Sequence, residues 1–99
     1  MRTMLRMTMG VEAGNRAFAD GSLQRTIQGL MERLKPEAAY FFPDEGKRSA
    51  LFVFDMQDAS QIPGLVEPLF ETMHAEVRLT PVMNAEDLRK GLGEAAKAR

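Results

Sequence analysis

A chain of 99 residues, 44% hydrophobic and 27% charged with a formal net charge of −1, suits one globular domain with a small core and lacks the positive field that nucleic-acid binding normally demands. It holds no Cys, no Trp, one His and one Tyr, which excludes disulfides, thiolate catalysis and Cys-ligated metal. No apolar run approaches the ~20 residues that cross a bilayer, and Arg6 interrupts any apolar stretch near the N-terminus, so the expectation is a cytoplasmic protein without membrane partners.

Residues 2–9 alternate, with Leu5, Met7 and Met9 on one face and Met4, Arg6 and Thr8 on the other. A period of two predicts a strand, ended by Gly10. Residues 11–20 carry a weaker helical pattern in Val11, Ala13, Ala17 and Phe18. Gly21-Ser22 interrupts it, and Ser22 is suited to cap a new helix. Leu23, Ile27, Leu30, Met31 and Leu34 then recur every three or four residues, an amphipathic stripe that Pro36 must stop. The region predicts either one helix bent near Gly21 or two helices end to end.

Residues 38–42 read as a strand with both faces apolar, and Pro43-Asp44-Glu45-Gly46 is turn chemistry. Residues 48–56 form the return strand, again apolar on both sides, which completes a hairpin. Asp58 or Ser60 is placed to cap the next helix, with Gln61 reaching back. Ile62, Leu65, Val66, Leu69, Phe70 and Met73 give that helix its stripe, and Pro68 is expected to bend it. Residues 75–82 alternate once more. Asn84 caps a final charged helix within a C-terminal extension over residues 83–99, with Leu88, Leu92 and Ala95 as its thin apolar stripe.

Strand, helix, strand, strand, helix, strand is the order of a split β-α-β, ferredoxin-like α+β sandwich in a single domain over residues 1–99. Right-handed crossovers put both helical layers on one face of its four-stranded sheet. The other face is then bare, yet the middle strands offer it Tyr40 with Phe42 or Phe41, and Phe52 with Phe54 or Leu51 with Val53. A sheet face wetted in a monomer alternates more cleanly than this. Large exposed apolar patches mark interaction surfaces, and the simplest cover is a second copy of the same sheet. Eight methionines suit either adaptable surfaces or gap filling in the core, and core filling is the preferred reading.

Three stretches add a resemblance. The run Lys35-Pro36-Glu37-Ala38-Ala39-Tyr40-Phe41, the strand end Phe52-Val53-Phe54-Asp55, and the tail Pro81-Val82-Met83-Asn84-Ala85-Glu86-Asp87-Leu88, with the order of elements, make the chain resemble the dimeric α+β barrel superfamily over nearly its whole length. The likeness is to a branch of small bacterial proteins without assigned chemistry, related to muconolactone-isomerase-like and cofactor-independent monooxygenase-like proteins. It implies a homodimer built sheet to sheet, with a ligand cavity between sheet and helices or within the barrel. It carries no catalytic motif.

On the outer face Arg6, Glu76 and Arg78 fall on strands that neighbour each other in such a fold. Two guanidinium groups and one carboxylate leave a positive surplus suited to a carboxylate or enolate, or they form a salt-bridge cluster without a ligand. Tyr40 is a further ligand-binding candidate, or a core residue with its hydroxyl at the rim. His74 and Glu67 are the candidates for proton transfer; the plainer readings are a helix C-terminal charge for His74 and a solvated helix face for Glu67. Asn15 and Asp20 are candidates for the mouth of a cavity, and Asp55 for the turn after its strand. A lone His with no second ligand at helical spacing argues against a metal site, and no cofactor is expected. Paired cysteines of a copper chaperone, the aromatic strand motifs of an RNA-binding fold, phosphate loops and nucleophile elbows do not occur. The reading is a small-molecule binding or interaction module, with a cofactor-independent isomerase or monooxygenase acting on an aromatic or polyketide-like substrate as the alternative. In that alternative Arg6 and Arg78 hold an oxyanion while His74 or Glu67 moves a proton.

Overall fold

The structure is a computed structural model that describes residues 1–99. Strand β1 (Arg2–Met9) buries every second residue, Thr3, Leu5, Met7 and Met9, because successive side chains leave a strand on opposite faces. Two helices then follow end to end, α1 (Val11–Asp20) and α2 (Ser22–Leu34), joined at Gly21. Gly21 has φ +82°, and its N–H donates to the Phe18 carbonyl at 3.4 Å. Glycine enters that left-handed region without a Cβ penalty, so Gly21 is the junction and Ser22, expected as the cap, is instead the first helical residue. Lys35, with φ +44°, ends α2 just ahead of Pro36.

The hairpin of β2 (Ala38–Asp44) and β3 (Lys47–Asp55) is longer than its sequence pattern suggests. Pro43 and Asp44 continue the ladder opposite Arg48 and Lys47, and only Glu45 and Gly46 turn the chain. Both have positive φ, +52° and +78°, the requirement of a two-residue type I′ turn. β2 lies at the sheet edge, where a proline is tolerated.

After β3 a single 3-10 turn (Ala59–Gln61) leads into α3 (Ile62–Met73). Asp58 and Gln61 cap each other reciprocally, so Asp58 rather than Ser60 is the cap residue. A hydrogen bond from the Ser60 hydroxyl, followed by backbone N–H donors of Ser60 and Ala59, holds the Asp58 carboxyl below the usual carboxylate range. The cap therefore adds stability above the ordinary carboxyl titration, and that stability is lost as the pH falls through the depressed value. The melting temperature of Asp58→Ala is expected to lie below that of the parent at neutral pH. The gap should narrow below about pH 4 in paired thermal melts. α3 runs on through Pro68 and ends at His74, which has φ +49°. β4 (Ala75–Pro81) and α4 (Ala85–Lys97) complete the chain, the latter capped by the Asn84 side chain accepting from the Asp87 N–H at 2.8 Å.

The fold is α+β: a four-stranded antiparallel sheet in the order β2-β3-β1-β4 with four helices, compatible with a ferredoxin-like arrangement. One sheet face carries the core. Leu5, Met7 and Met9 of β1 and Ala50, Phe52 and Phe54 of β3 pack there against Ala17, Leu30 and Leu34 from α1 and α2 and Leu65, Leu69 and Met73 from α3. Met7, Met9, Met56 and Met73 are all buried, so half of the eight methionines fill the interior.

The pairing also settles which aromatic group faces outward. Ala38, Val53, Met4 and Thr80 form one row across the outer face; Tyr40, Leu51, Arg6 and Arg78 the next; Phe42, Ser49, Thr8 and Glu76 the third. Phe41 sits on the core side, edge-on to Phe52 with ring centroids 5.7 Å apart. The outer face is thus apolar towards β2 and β3 and charged towards β1 and β4. α4 stands apart, burying none of its residues. Its ~20 Å length fits the elongated outline of 54 × 29 × 19 Å.

Candidate functional site

A half-open cleft of about 590 Å³ lies on the helix side of the sheet, between α1, α2 and the β2–β3 hairpin. Its floor is Met7 and Met9 of β1 with Ala50 of β3; Val11, Leu23 and Ile27 form the helical wall, and Phe41, Phe42 and Pro43 the hairpin wall. The size is typical of small-molecule sites, which are mostly apolar with a few placed polar groups. Here those groups are Asn15, Lys47, Arg48 and Ser49.

Arg48 follows from strand alternation. It shares the core-facing side of β3 with Ala50, Phe52 and Phe54, but lies one step nearer the hairpin turn, where the helices no longer cover the sheet completely. Its guanidinium donates to Asn15 Oδ1 at 3.0 Å and lies 5.8 Å from the centre of the Phe18 ring. Both partners belong to α1. No carboxylate lies within 4 Å of Arg48 or of Lys47; the ion pairs of the chain are Met1–Asp55, Arg2–Glu37, Arg2–Asp87 and Arg6–Asp44.

The residues singled out on the outer face meet elsewhere. Arg6 and Arg78 are opposed across the β1–β4 ladder, and Glu76 is opposite Thr8. With Asp44, Glu45 and Lys47 they ring a polar hollow of about 110 Å³. Arg6 donates to Asp44 Oδ2 at 2.8 Å and lies over the Phe42 ring at 5.6 Å. Asp44 ends β2 and Glu45 begins the turn, a stretch that the sequence pattern did not connect to this face. Three cations and three carboxylates surround the hollow, so the positive surplus expected from Arg6, Arg78 and Glu76 alone is cancelled. Tyr40 is exposed on the same sheet face, beside Leu51, and is no part of the hollow.

His74 and Glu67 are both exposed. The His74 backbone N–H closes α3 on the Phe70 carbonyl at 3.1 Å; its ring has no carboxylate partner. Neither residue borders the cleft or the polar hollow. Asp55 accepts from the Met1 amino group at 2.6 Å and from Gln57 Nε2 at 2.7 Å, tying the end of β3 to the start of β1. Asn15 does lie at a cavity mouth; Asp20 instead accepts from the Ser22 N–H at 2.8 Å. No group of three or more His, Asp or Glu side chains is placed to hold a metal ion, and no helix is long and apolar enough to cross a membrane. No protein-family model matches the chain, and no curated protein matches it significantly.

A cavity between sheet and helices was expected only from the resemblance, and Arg48 escaped the sequence reading, although one signal was present. Arg48-Ser49-Ala50-Leu51-Phe52-Val53-Phe54 places a cation in phase with the buried residues of its strand. A charge in phase with a core is rarely buried unpaired, and here it opens onto a cavity.

Proposed function

We propose that this protein is a homodimeric small-molecule binding module of the ferredoxin-like, dimeric α+β barrel type, without chemistry of its own. The observation that carries the binding reading is the cleft between α1, α2 and the hairpin, apolar within and cationic at its rim. The support for pairing is the outer sheet face, where Tyr40 is 63% exposed and Leu51, Val53, Met4 and Phe42 surround it without a covering element. A second copy presents the same surface, as a two-fold contact requires. The chemistry of the module suits an apolar or anionic ligand and neither nucleic acid nor bilayer, and a cytoplasmic setting accords with it. The isomerase or monooxygenase alternative asks for at least two of Arg6, Arg78, His74 and Glu67 in one apolar cavity, and none of the four borders the cleft.

Native mass spectrometry of the purified protein tests both parts. The expected spectrum is a dimer, with small molecules retained or taken up from an added library of apolar compounds. Val11→Trp narrows the cleft from an exposed position and is expected to abolish uptake while leaving the melting temperature within a few degrees, since surface changes stay within about 0.5 kcal/mol. Uptake undiminished by Val11→Trp would place the ligand elsewhere.

A further inference from the structure

The cleft is not electrically neutral in its demands. Arg48 stands at its rim with no carboxylate within 4 Å, whereas the cations around the outer-face hollow, Lys47 among them, are matched there by three carboxylates. Arg48 is not a loose surface side chain. It lies against α1 at Gly14, where a Cβ would come within 2.9 Å of its Nη1 and 3.4 Å of its Cδ. Asn15 accepts from it at 3.0 Å and the Phe18 ring lies 5.8 Å from it. Glycine at position 14, inside a helix, lowers helix propensity, and what it gives in return here is room for this guanidinium. A side chain held on three sides by one helix has already lost much of its freedom, so less is lost when an anion arrives. Asn15 is neutral and takes only part of the five-donor fork, which leaves donors for a ligand.

We infer that the cleft binds an anionic amphiphile, an aromatic or aliphatic body seated between Met7, Ile27 and Phe41 with a carboxylate or similar oxyanion held by Arg48 at the rim. The inference rests on the small-molecule reading above and narrows it to a charge class. Charge-assisted bonds from a guanidinium are about twice as strong as neutral ones, enough for roughly a tenfold preference over an uncharged isostere. Lys47 adds attraction at longer range without fixed geometry.

The test compares 2-naphthoate with its neutral isostere 2-naphthamide by calorimetric titration of the full chain. The expected result is naphthoate at least tenfold tighter. Arg48→Met keeps the apolar stem and removes the charge; it should abolish the preference while leaving naphthamide affinity unchanged. Gly14→Ala reaches the same group from the other side, because the added methyl must displace the guanidinium. It should cut naphthoate affinity severalfold while the melting temperature holds or rises, as alanine is the better helix former. Equal binding of the two compounds, or a preference that survives Arg48→Met, overturns the anion inference and leaves the cleft as a site. Absence of binding by both overturns the inference together with the small-molecule reading.

Discussion

Phe52→Ala is expected to bring the protein close to unfolding. Phe52 is completely buried at the centre of the sheet, opposite Leu5 on β1 and Ala39 on β2, with the Phe41 ring edge-on to it. Removing a buried phenyl costs about 3–5 kcal/mol, the lost transfer energy plus the cavity left behind. Small domains are marginally stable, with about 5–15 kcal/mol in all, and the lower part of that range suits a core of this size. The cavity has few ways to collapse, because Phe52 lies on a central strand paired on both sides and covered by the helices. Urea unfolding followed by far-ultraviolet circular dichroism should show the midpoint reduced by at least half, with the slope unchanged. A loss under 1 kcal/mol would mean that the sheet and helices do not meet at this residue.

Leu51→Glu, one position earlier, should fail in a different way. Leu51 points to the outer face, between Tyr40 and Arg6 in the same row, and it is only partly buried in one chain. A carboxylate there stays wet in the monomer and meets Arg6 as a neighbour, so the fold should survive with a change in stability under about 1 kcal/mol. In the proposed sheet-to-sheet dimer the same carboxylate is drawn out of water between two sheets, beside an Arg6 already engaged by Asp44 at 2.8 Å. Desolvating a charge costs several kcal/mol, and a symmetric contact incurs it twice. The dissociation constant is expected to rise at least a hundredfold, read by sedimentation equilibrium over a range of concentrations. Dimerisation unchanged by Leu51→Glu would move the contact off this face, and a parent chain that stays single at millimolar concentration would remove it. Neighbouring residues of one strand thus separate folding from association.

Much of the fold is written in local periods. The alternation of residues 2–9 and the three-four spacing from Leu23 to Leu34 each reflect one buried face, and a single buried face is visible in a sequence. Where both faces are apolar the period vanishes. Tyr40, Phe41 and Phe42 gave no hint of which ring turns to the helix side, and only the ladder, which sets Phe41 opposite Ala50, decides it; even there Phe41 stays half exposed. Turn positions failed for a related reason: Pro43 and Asp44 are good turn residues that an edge strand also accepts. The site was less legible than the fold. The outer-face charges were found because adjacent strands bring them together, and local topology foretells that much. Their neutralisation by Asp44 and Glu45 was not, since it needs the true length of the hairpin. The cleft depends on how far α1 and α2 stand from that hairpin, a distance fixed by packing that no periodicity encodes. Asn15 was flagged from the polarity of a weak helix; its partner Arg48 was not, because it is 33 residues away.

One consequence concerns α4. Only Arg2 reaches back to it, at 3.3 Å from Asp87, and that guanidinium is shared with Glu37. An ion pair this open to solvent adds little, and Gly91 and Gly93 stiffen nothing further along. The helix is therefore joined to the domain by very little chain, since the Val82 N–H still donates to the Arg2 carbonyl at 3.1 Å and Asn84 already caps α4. It owes its helical form to its own capping box rather than to anything packed against it.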